Sequence, residues 1–268
     1  MAILTLSRKL GSGSQEIGQA VAKALHYKYV DHFEIVDKMK AVGDKWGESG
    51  KIFDEEPLPK LLDRHDSSFV GYVALAQWIV LASAAKDKAV INSRGSNILL
   101  KGIPYAFRVR VTGPVEQRVE RVMNREGIGR DIAQMLVNKA DHEMARSIRY
   151  MYGKDWDDPA EYDAIVDTGV AAIDQIVDNL TKELAHRDGI RTKDMRKMLA
   201  LRVKAYEIRA HILTNPKLYM SILDVRPEGW GIVLRGVADK AIVAERVEDM
   251  AQRLAGDIPL KIQIHSRR

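Results

Sequence analysis

The segment Ser7-Arg-Lys-Leu-Gly-Ser-Gly-Ser-Gln-Glu-Ile-Gly18 carries the clearest chemistry in the chain. It follows a short apolar run, Ile3 to Leu6, and leads into Ile17, Val21, Ala24 and Leu25 at helical spacing. Glycines at such a junction let backbone N–H groups turn inward around anionic oxygens, and a helix N-terminus adds partial positive charge. The pattern predicts an anion cradle over Arg8, Gly11, Ser12, Gly13, Ser14, Gln15 and Glu16. A standard phosphate loop reads G-x-x-x-x-G-K-[ST], with lysine on the β- and γ-phosphates and a hydroxyl on Mg²⁺. In that register Arg8 stands at the first glycine, Gly13 at the second, Ser14 at the lysine and Gln15 at the Ser/Thr, so three of the four key positions differ. A glycine-rich βα turn without a ligand accounts for the same residues. The dinucleotide pattern G-x-G-x-x-G fits less well, because Glu16 occupies its third glycine.

Further polar residues fall at the ends of short β-rich runs: Asp31, Ser93-Arg94, Thr112-Gly113 and Asp167. Asp31 and Asp167 suit the orientation of Mg²⁺ or its waters, and suit loop capping equally well. The seven histidines show no paired ligand spacing, which predicts no protein-built metal site. The absence of cysteine excludes disulfides, thiolate metal centres and cysteine nucleophiles.

These residues must be positioned by elements that alternate. Strand-like runs at Ile3–Leu6, Tyr27–Val30, Ala89 onward, Phe107 onward and Ala164 onward are separated by helical patterns at 114–126, 131–152 and 170–186. Alternating strands and helices predict a three-layer α/β fold around a five-stranded parallel sheet, with ligands at the carboxyl ends of the strands. Residues 40–66, rich in Gly, Lys, Asp, Glu and Pro, predict an exposed, mobile excursion. Phe69 to Ala85 is apolar almost throughout. With Gln77 inside it and no second lipid-facing segment, it predicts a helix buried on most sides, in part at a homodimer interface, rather than a transmembrane segment. A polar linker over 187–194 precedes Met195, Leu199, Val203, Tyr206, Ala210 and Leu213 on one helical stripe, ended by Asn215-Pro216. Tyr219–Val225 and Trp230–Val237 flank Pro227-Glu-Gly229 as a hairpin, and a helix (240–254) and a strand (260–265) follow. That order predicts a small α+β (αββαβ) domain over 195–268, after a first domain over 1–186.

The charge is divided unevenly. From Arg187 onward there are 17 Lys and Arg against 10 Asp and Glu, while residues 1–186 hold 25 against 27. The basic C-terminal part fits an anionic partner or surface, or a solvated face with no partner. Nothing signals direct nucleic-acid binding. The opening residues make a poor signal peptide, which with the lack of cysteine predicts a cytoplasmic protein.

Several longer phrases now carry a resemblance. Residues 3–184 resemble the cytidylate-kinase-like family of P-loop nucleoside-monophosphate kinase relatives through the Ile3–Gly18 segment, Tyr29-Val-Asp, Val90-Ile-Asn-Ser-Arg-Gly-Ser, Phe107-Arg-Val-Arg-Val and Pro114 to Met123. Asp141 to Arg149 and Tyr152-Gly-Lys-Asp-Trp-Asp-Asp-Pro-Ala-Glu-Tyr-Asp-Ala-Ile-Val-Asp-Thr168 extend it. The family's own loop lacks the lysine. The resemblance implies transfer of the ATP γ-phosphate, with Mg²⁺, to a nucleoside monophosphate or related acceptor. It puts Gly11 to Glu16 around the donor triphosphate, and Arg94 and Arg149 on the acceptor, with Arg118, Arg121, Arg125 and Arg130 about a lid. Gly95 and Arg146 stand where the family has aspartates. Under that resemblance Arg8, Lys9, Arg94, Arg125, Arg146 and Arg149 would stabilise a transferring phosphoryl group if they converge, and each reads equally as a solvated surface charge. The αββαβ segment, through Leu234-Arg-Gly-Val-Ala-Asp, resembles the BON domain, which implies docking of a protein or small ligand. A catalytically inactive nucleotide-binding regulator that signals through that domain is the alternative.

Overall fold

Ile3 to Leu6 are fully buried, as expected of a strand covered on both faces. The computed structural model describes residues 1–48, 67–218 and 220–266. From residue 49 onward the excursion predicted over 40–66 lies outside them, as does Tyr219. In chain order the elements begin with β1 (Ile3–Arg8), α1 (Ser14–Leu25), β2 (Lys28–Val30), α2 (His32–Lys40) and α3 (Ser67–Ala85). Next come β3 (Ala89–Ile91), α4 (Ser96–Leu99), β4 (Ala106–Thr112), α5 (Val115–Glu126) and α6 (Arg130–Tyr152). A 3₁₀ turn (Pro159–Glu161), β5 (Ala164–Asp167) and α7 (Ile173–Gly189) follow. The chain ends with α8 (Lys193–Leu213), β6 (Met220–Glu228), β7 (Gly231–Ala238), α9 (Ala241–Ala255) and β8 (Leu260–Ser266).

Two units form. The first comprises Met1–His32 and Lys86–Arg191. Its sheet is the expected parallel five-stranded one, in the order β2-β3-β1-β4-β5. β1 pairs with β3 from Ile3↔Ala89 and with β4 from Ile3↔Ala106 to Arg8↔Val111, so it lies at the centre. Leu4, Leu6, Val109 and Val111 point to one face, where Ile17 and Val21 of α1 and Ile176, Leu180 and Leu184 of α7 complete the core. A second cluster joins α5 and α6 through Val119, Val122, Ala133 and Val137, and Leu10 of the glycine loop packs against it.

The second unit comprises Phe33–Ala85 and Thr192–Arg268. The linear reading placed 33–85 with the first domain; by packing they group with the C-terminal residues, because the apolar helix α3 lies along α8. Arg209 donates to Gln77 at 2.9 Å, and the Trp78 and His211 rings are 5.3 Å apart. This accounts for the uniformly apolar character of α3. Among the described residues no helix is long and apolar enough to cross a membrane.

The αββαβ order appears as α8-β6-β7-α9-β8, with sheet order β6-β7-β8. The hairpin turn sits later than expected, at Gly229-Trp230 between the paired Glu228 and Gly231. Pro227 belongs to β6, an edge strand, where a missing N–H interrupts no ladder. The predicted linker is also shorter. α7 continues to Gly189, where Arg187 bonds Glu183 at 2.7 Å and stacks on Phe107, and Thr192 caps α8 by accepting from Met195 N–H.

Candidate functional site

The glycine loop joins the carboxyl end of β1 to α1. Gly11 and Gly13 hold φ of 76° and 80°, in the left-handed region that favours glycine. At Gly11 the approach is also close: a Cβ would stand 2.4 Å from the Arg118 carbonyl oxygen. Helix α1 has no side-chain cap, so the N–H groups of its first turn face the loop without intrahelical partners. The Ser12 hydroxyl is buried and has no hydrogen-bond partner among the described residues. An orphaned hydroxyl beside a row of N–H donors fits a phosphate. Gln15 and Glu16 are exposed on the first turn.

Two arginines of α5 brace this loop from behind. Arg118, only 2% exposed, donates to the Leu10 carbonyl at 3.2 Å and grips the Asp141 carboxylate of α6 at 3.1 and 2.9 Å. Arg121 donates to the Gly11 carbonyl at 3.2 Å and to the Thr168 hydroxyl at 2.7 Å, and Thr168 in turn donates to the Thr112 carbonyl. Both were expected near a lid; their bonds hold loop carbonyls in place, turning the loop's N–H groups the other way.

Asn92, at the end of β3, ties the other side together. Its amide donates to Ser14 Oγ at 3.1 Å and to the Tyr29 hydroxyl at 2.9 Å, and it accepts from Arg8 Nη1 at 2.9 Å. Burial raises the Tyr29 hydroxyl above its ordinary pKa, against the Asn92 bond and the Arg8 charge, with Asp31 and Glu16 adding to the rise. Arg8, Ser14 and Tyr29 therefore meet at Asn92. Asp167, by contrast, caps its own loop, accepting from Gly169 N–H at 2.7 Å. Among the described residues no three His, Asp or Glu side chains gather as a metal site.

Arg94 follows Asn92 and Ser93. Its carbonyl accepts from the Tyr152 hydroxyl at 3.4 Å, which brings the end of α6 beside it. Gly95 has φ of 75°, and a Cβ there would fall 2.2 Å from the Tyr152 ring, so that ring fills the space a side chain would need. Ser93 Oγ is a second buried hydroxyl without a partner among the described residues. Arg146 and Arg149 lie on the exposed face of α6, and neither makes an ion pair with a described residue. Arg125 is half exposed and bonds its neighbour Glu126 at 2.8 Å.

The sequence reading missed a buried network on the sheet face opposite α1. Arg108 and Arg110 lie within β4, and Arg110 stands opposite Ser7 of β1. Arg108 bonds both Asp163 oxygens, at 3.2 and 2.6 Å. Burial pushes the Asp163 carboxyl up, but the bonds from Arg108 override it and hold the group below its ordinary value. Glu161 is held low in the same way: burial acts against it, and Lys101 and Lys154 at 3.1 and 3.4 Å prevail. Arg110, 4% exposed, donates to the Trp156 carbonyl and to Asp157, with its guanidinium 4.4 Å from the Trp156 ring centre. Trp156 Nε1 donates to Ser7 Oγ at 3.0 Å, and the Tyr162 hydroxyl donates to the Trp156 carbonyl at 2.8 Å. Burial raises the Tyr162 hydroxyl. The long Gly-Lys-Asp-Trp phrase thus folds over the carboxyl ends of β1 and β4. Its aromatic residues were the signal available in the sequence.

Residues 3–170 match the Cytidylate kinase-like family. A cytidylate kinase of Methanosarcina acetivorans is 24% identical over 170 residues, covering 62% of this chain and 86% of its own. One from Methanocaldococcus jannaschii is 27% identical over 198 residues, covering 67% of this chain and 99% of its own. An uncharacterized protein from Eubacterium ventriosum shares the fold, with a TM-score of 0.56 at 19% identity over 69% of this chain and 98% of that one.

Proposed function

Because the chain belongs to the cytidylate kinase-like family, we propose that its first unit is a nucleotide-binding phosphotransferase that moves the γ-phosphoryl group of ATP to a nucleoside monophosphate, CMP-like, or a related small acceptor. The observation that carries this reading is the braced loop: two left-handed glycines, an uncapped helix start and the orphaned Ser12 hydroxyl. Arg8 and Gly11 to Glu16 form the donor site, and Arg94, Arg146 and Arg149 serve the acceptor and the charge that spreads in transfer. Arg125, in the last turn of α5, belongs to the same set. In the reaction the bond from the γ-phosphorus to the β,γ-bridging oxygen breaks as one forms to an acceptor phosphate oxygen. That oxygen is already ionised near neutral pH, so no proton has to be removed, and the products are ADP and a nucleoside diphosphate.

The donor residues fit Mg²⁺ as an ion carried by the nucleotide, since Mg²⁺ keeps several waters and takes one or two carboxylates with phosphate oxygens. Asp31 is the carboxylate that would hold it, in electrostatic reach of the Tyr29–Asn92–Arg8 cluster. When bound, the ion neutralises phosphate charge. The αββαβ segment 195–268, BON-like in its order of elements, is read as a docking module for a protein or small ligand. Ser14 at the usual lysine position favours the second reading, a nucleotide-binding regulator without turnover.

Incubating the protein with ATP, Mg²⁺ and each nucleoside monophosphate in turn, and measuring ADP, tests the proposal. Turnover with one acceptor supports it. Tight ATP binding with no turnover on any acceptor selects the regulator, and no ATP binding overturns both.

A further inference from the structure

The loop is called lysine-free because Ser14 fills the usual position, yet the Ser7–Gly18 segment contains one lysine, Lys9. Its ammonium is 3.8 Å from Asp157 Oδ1 and 5.8 Å from the centre of the Trp156 ring. Arg110 lies 4.4 Å from that ring and donates to the same Asp157 oxygen. Two cations therefore share one carboxylate. Arg110 is buried and makes the closer, hydrogen-bonded contact, whereas Asp157 is largely exposed and Lys9 partly so. A partly exposed pair at that distance is weak, so Asp157 neutralises Arg110 and leaves Lys9 as the surplus charge of the cluster. The platform beneath Lys9 is nonetheless fixed. Trp156 is 3% exposed and is held by Ser7, Arg110 and Tyr162, and Ser7 lies two residues before Lys9 in β1.

We propose that Lys9 is the loop's cation for the donor triphosphate, taking the part of the absent helix-start lysine, and that Trp156, Asp157 and Arg110 are positioning residues that hold its ammonium beside the carboxyl end of β1. The inference rests on the phosphotransferase reading and names the side chain that completes its donor site. A cation over an indole face keeps its charge while losing freedom, and this restraint lowers the ordering cost when phosphate arrives. The sheet itself supplies the platform, since Arg110 and Ser7 are neighbours in register.

The test uses the full chain and measures ATP and ADP affinity by titration calorimetry, with kcat and KM wherever an acceptor turns over. Lys9→Met is expected to lower ATP affinity about tenfold or more, as loss of one charge-assisted bond implies, and to lower ADP affinity less. Lys9→Arg should restore most of it. Trp156→Leu should weaken ATP binding by a smaller factor, and should add nothing in a Lys9→Met background. If Trp156→Leu does not fold, Trp156→Met takes its place in the same cycle, because it fills more of the buried volume and still removes the aromatic face from Lys9. ATP affinity and turnover within twofold of the parent in Lys9→Met would overturn the proposal. So would a tryptophan effect of equal size with and without Lys9. A parent protein that binds no ATP condemns the phosphotransferase reading as well, whereas a parent that binds ATP beside an unaffected Lys9→Met condemns the assignment of Lys9 alone.

Discussion

Replacing Gly11 with alanine tests whether the loop is built as described. Two costs are separable. The backbone at φ 76° is left-handed, and an L-residue there costs roughly 1–2 kcal/mol. The added Cβ would meet the Arg118 carbonyl oxygen at 2.4 Å and the Arg118 Cα and carbonyl carbon at 3.0 Å. These are backbone atoms of a helix whose side chain is clamped by Asp141, so the neighbour cannot swing away. Relief requires a main-chain shift approaching 1 Å, and overpacking of that kind costs about 1–3 kcal/mol. Together the change should destabilise the first unit by about 2–5 kcal/mol. At roughly 2–4 °C per kcal/mol for a domain of this size, calorimetry should show a drop of about 5–15 °C. Gly102→Ala is the control, since Gly102 has φ 79° and no atom within 4 Å of a built Cβ. It incurs the backbone cost alone. ATP titration on the folded Gly11→Ala protein should show binding reduced at least tenfold, because the moved carbonyl re-aims the loop N–H groups. A Gly11→Ala protein no less stable than Gly102→Ala, with ATP affinity intact, would refute the close approach and the cradle drawn from it.

The α5–α6 clamp and the acid limb give two further expectations. Asp141→Asn leaves Arg118 a buried cation without its counter-charge, and denaturant unfolding should show a loss of about 2–3 kcal/mol, at the low end of buried-pair costs because Asp141 is partly exposed. Arg118→Met combined with Asp141→Leu should recover most of it; a double variant as unstable as Asp141→Asn would contradict the clamp. For Asp163, burial acts upward but the Arg108 bonds hold the folded pKa below the unfolded one. As pH falls the unfolded chain binds that proton first. The stability Asp163 contributes is therefore complete above about pH 4 and is lost as pH drops through the folded value. Asp163→Asn should be less stable at pH 7 and show a flatter stability profile as pH falls below about 4. A parent-like slope in that range would remove Asp163 as its source.

Much of the architecture could be read because its causes are local. Short β-branched runs alternate with helical spacing, and polar residues recur where strands end, so the parallel sheet followed from period alone. What could not be read depends on distant partners. A helix apolar on all sides announces that α3 is buried but not by what. The answer is α8, where Gly71 lets the Leu213 carbonyl and the Trp46 ring come close, and where Gln77 finds Arg209. Pro227 misled for a similar reason. Proline marks turns in a linear reading, and only its place on an edge strand shows that β6 can contain it.

The site divides along the same line. Gly11 and Gly13 could be named because a left-handed turn before a helix writes itself in glycine. Arg94, Arg146 and Arg149 could be named only by resemblance, and the first turns out to lie beside Tyr152, which occupies the space over Gly95. Arg108 and Arg110 were hidden by their own pattern, because alternation of arginine with Phe107, Val109 and Val111 reads as one wet and one dry face. In a central strand of a covered sheet neither face is wet. A buried arginine there must find a carboxylate, and each does so within the segment from Trp156 to Asp163. That requirement links β4 to the longest family phrase. It also places the phrase over the carboxyl ends of β1 and β4, with Trp156 against Ser7 and beside Lys9. In a loop without the usual lysine, Lys9 thus lies against an aromatic ring that the packing of the sheet holds in place.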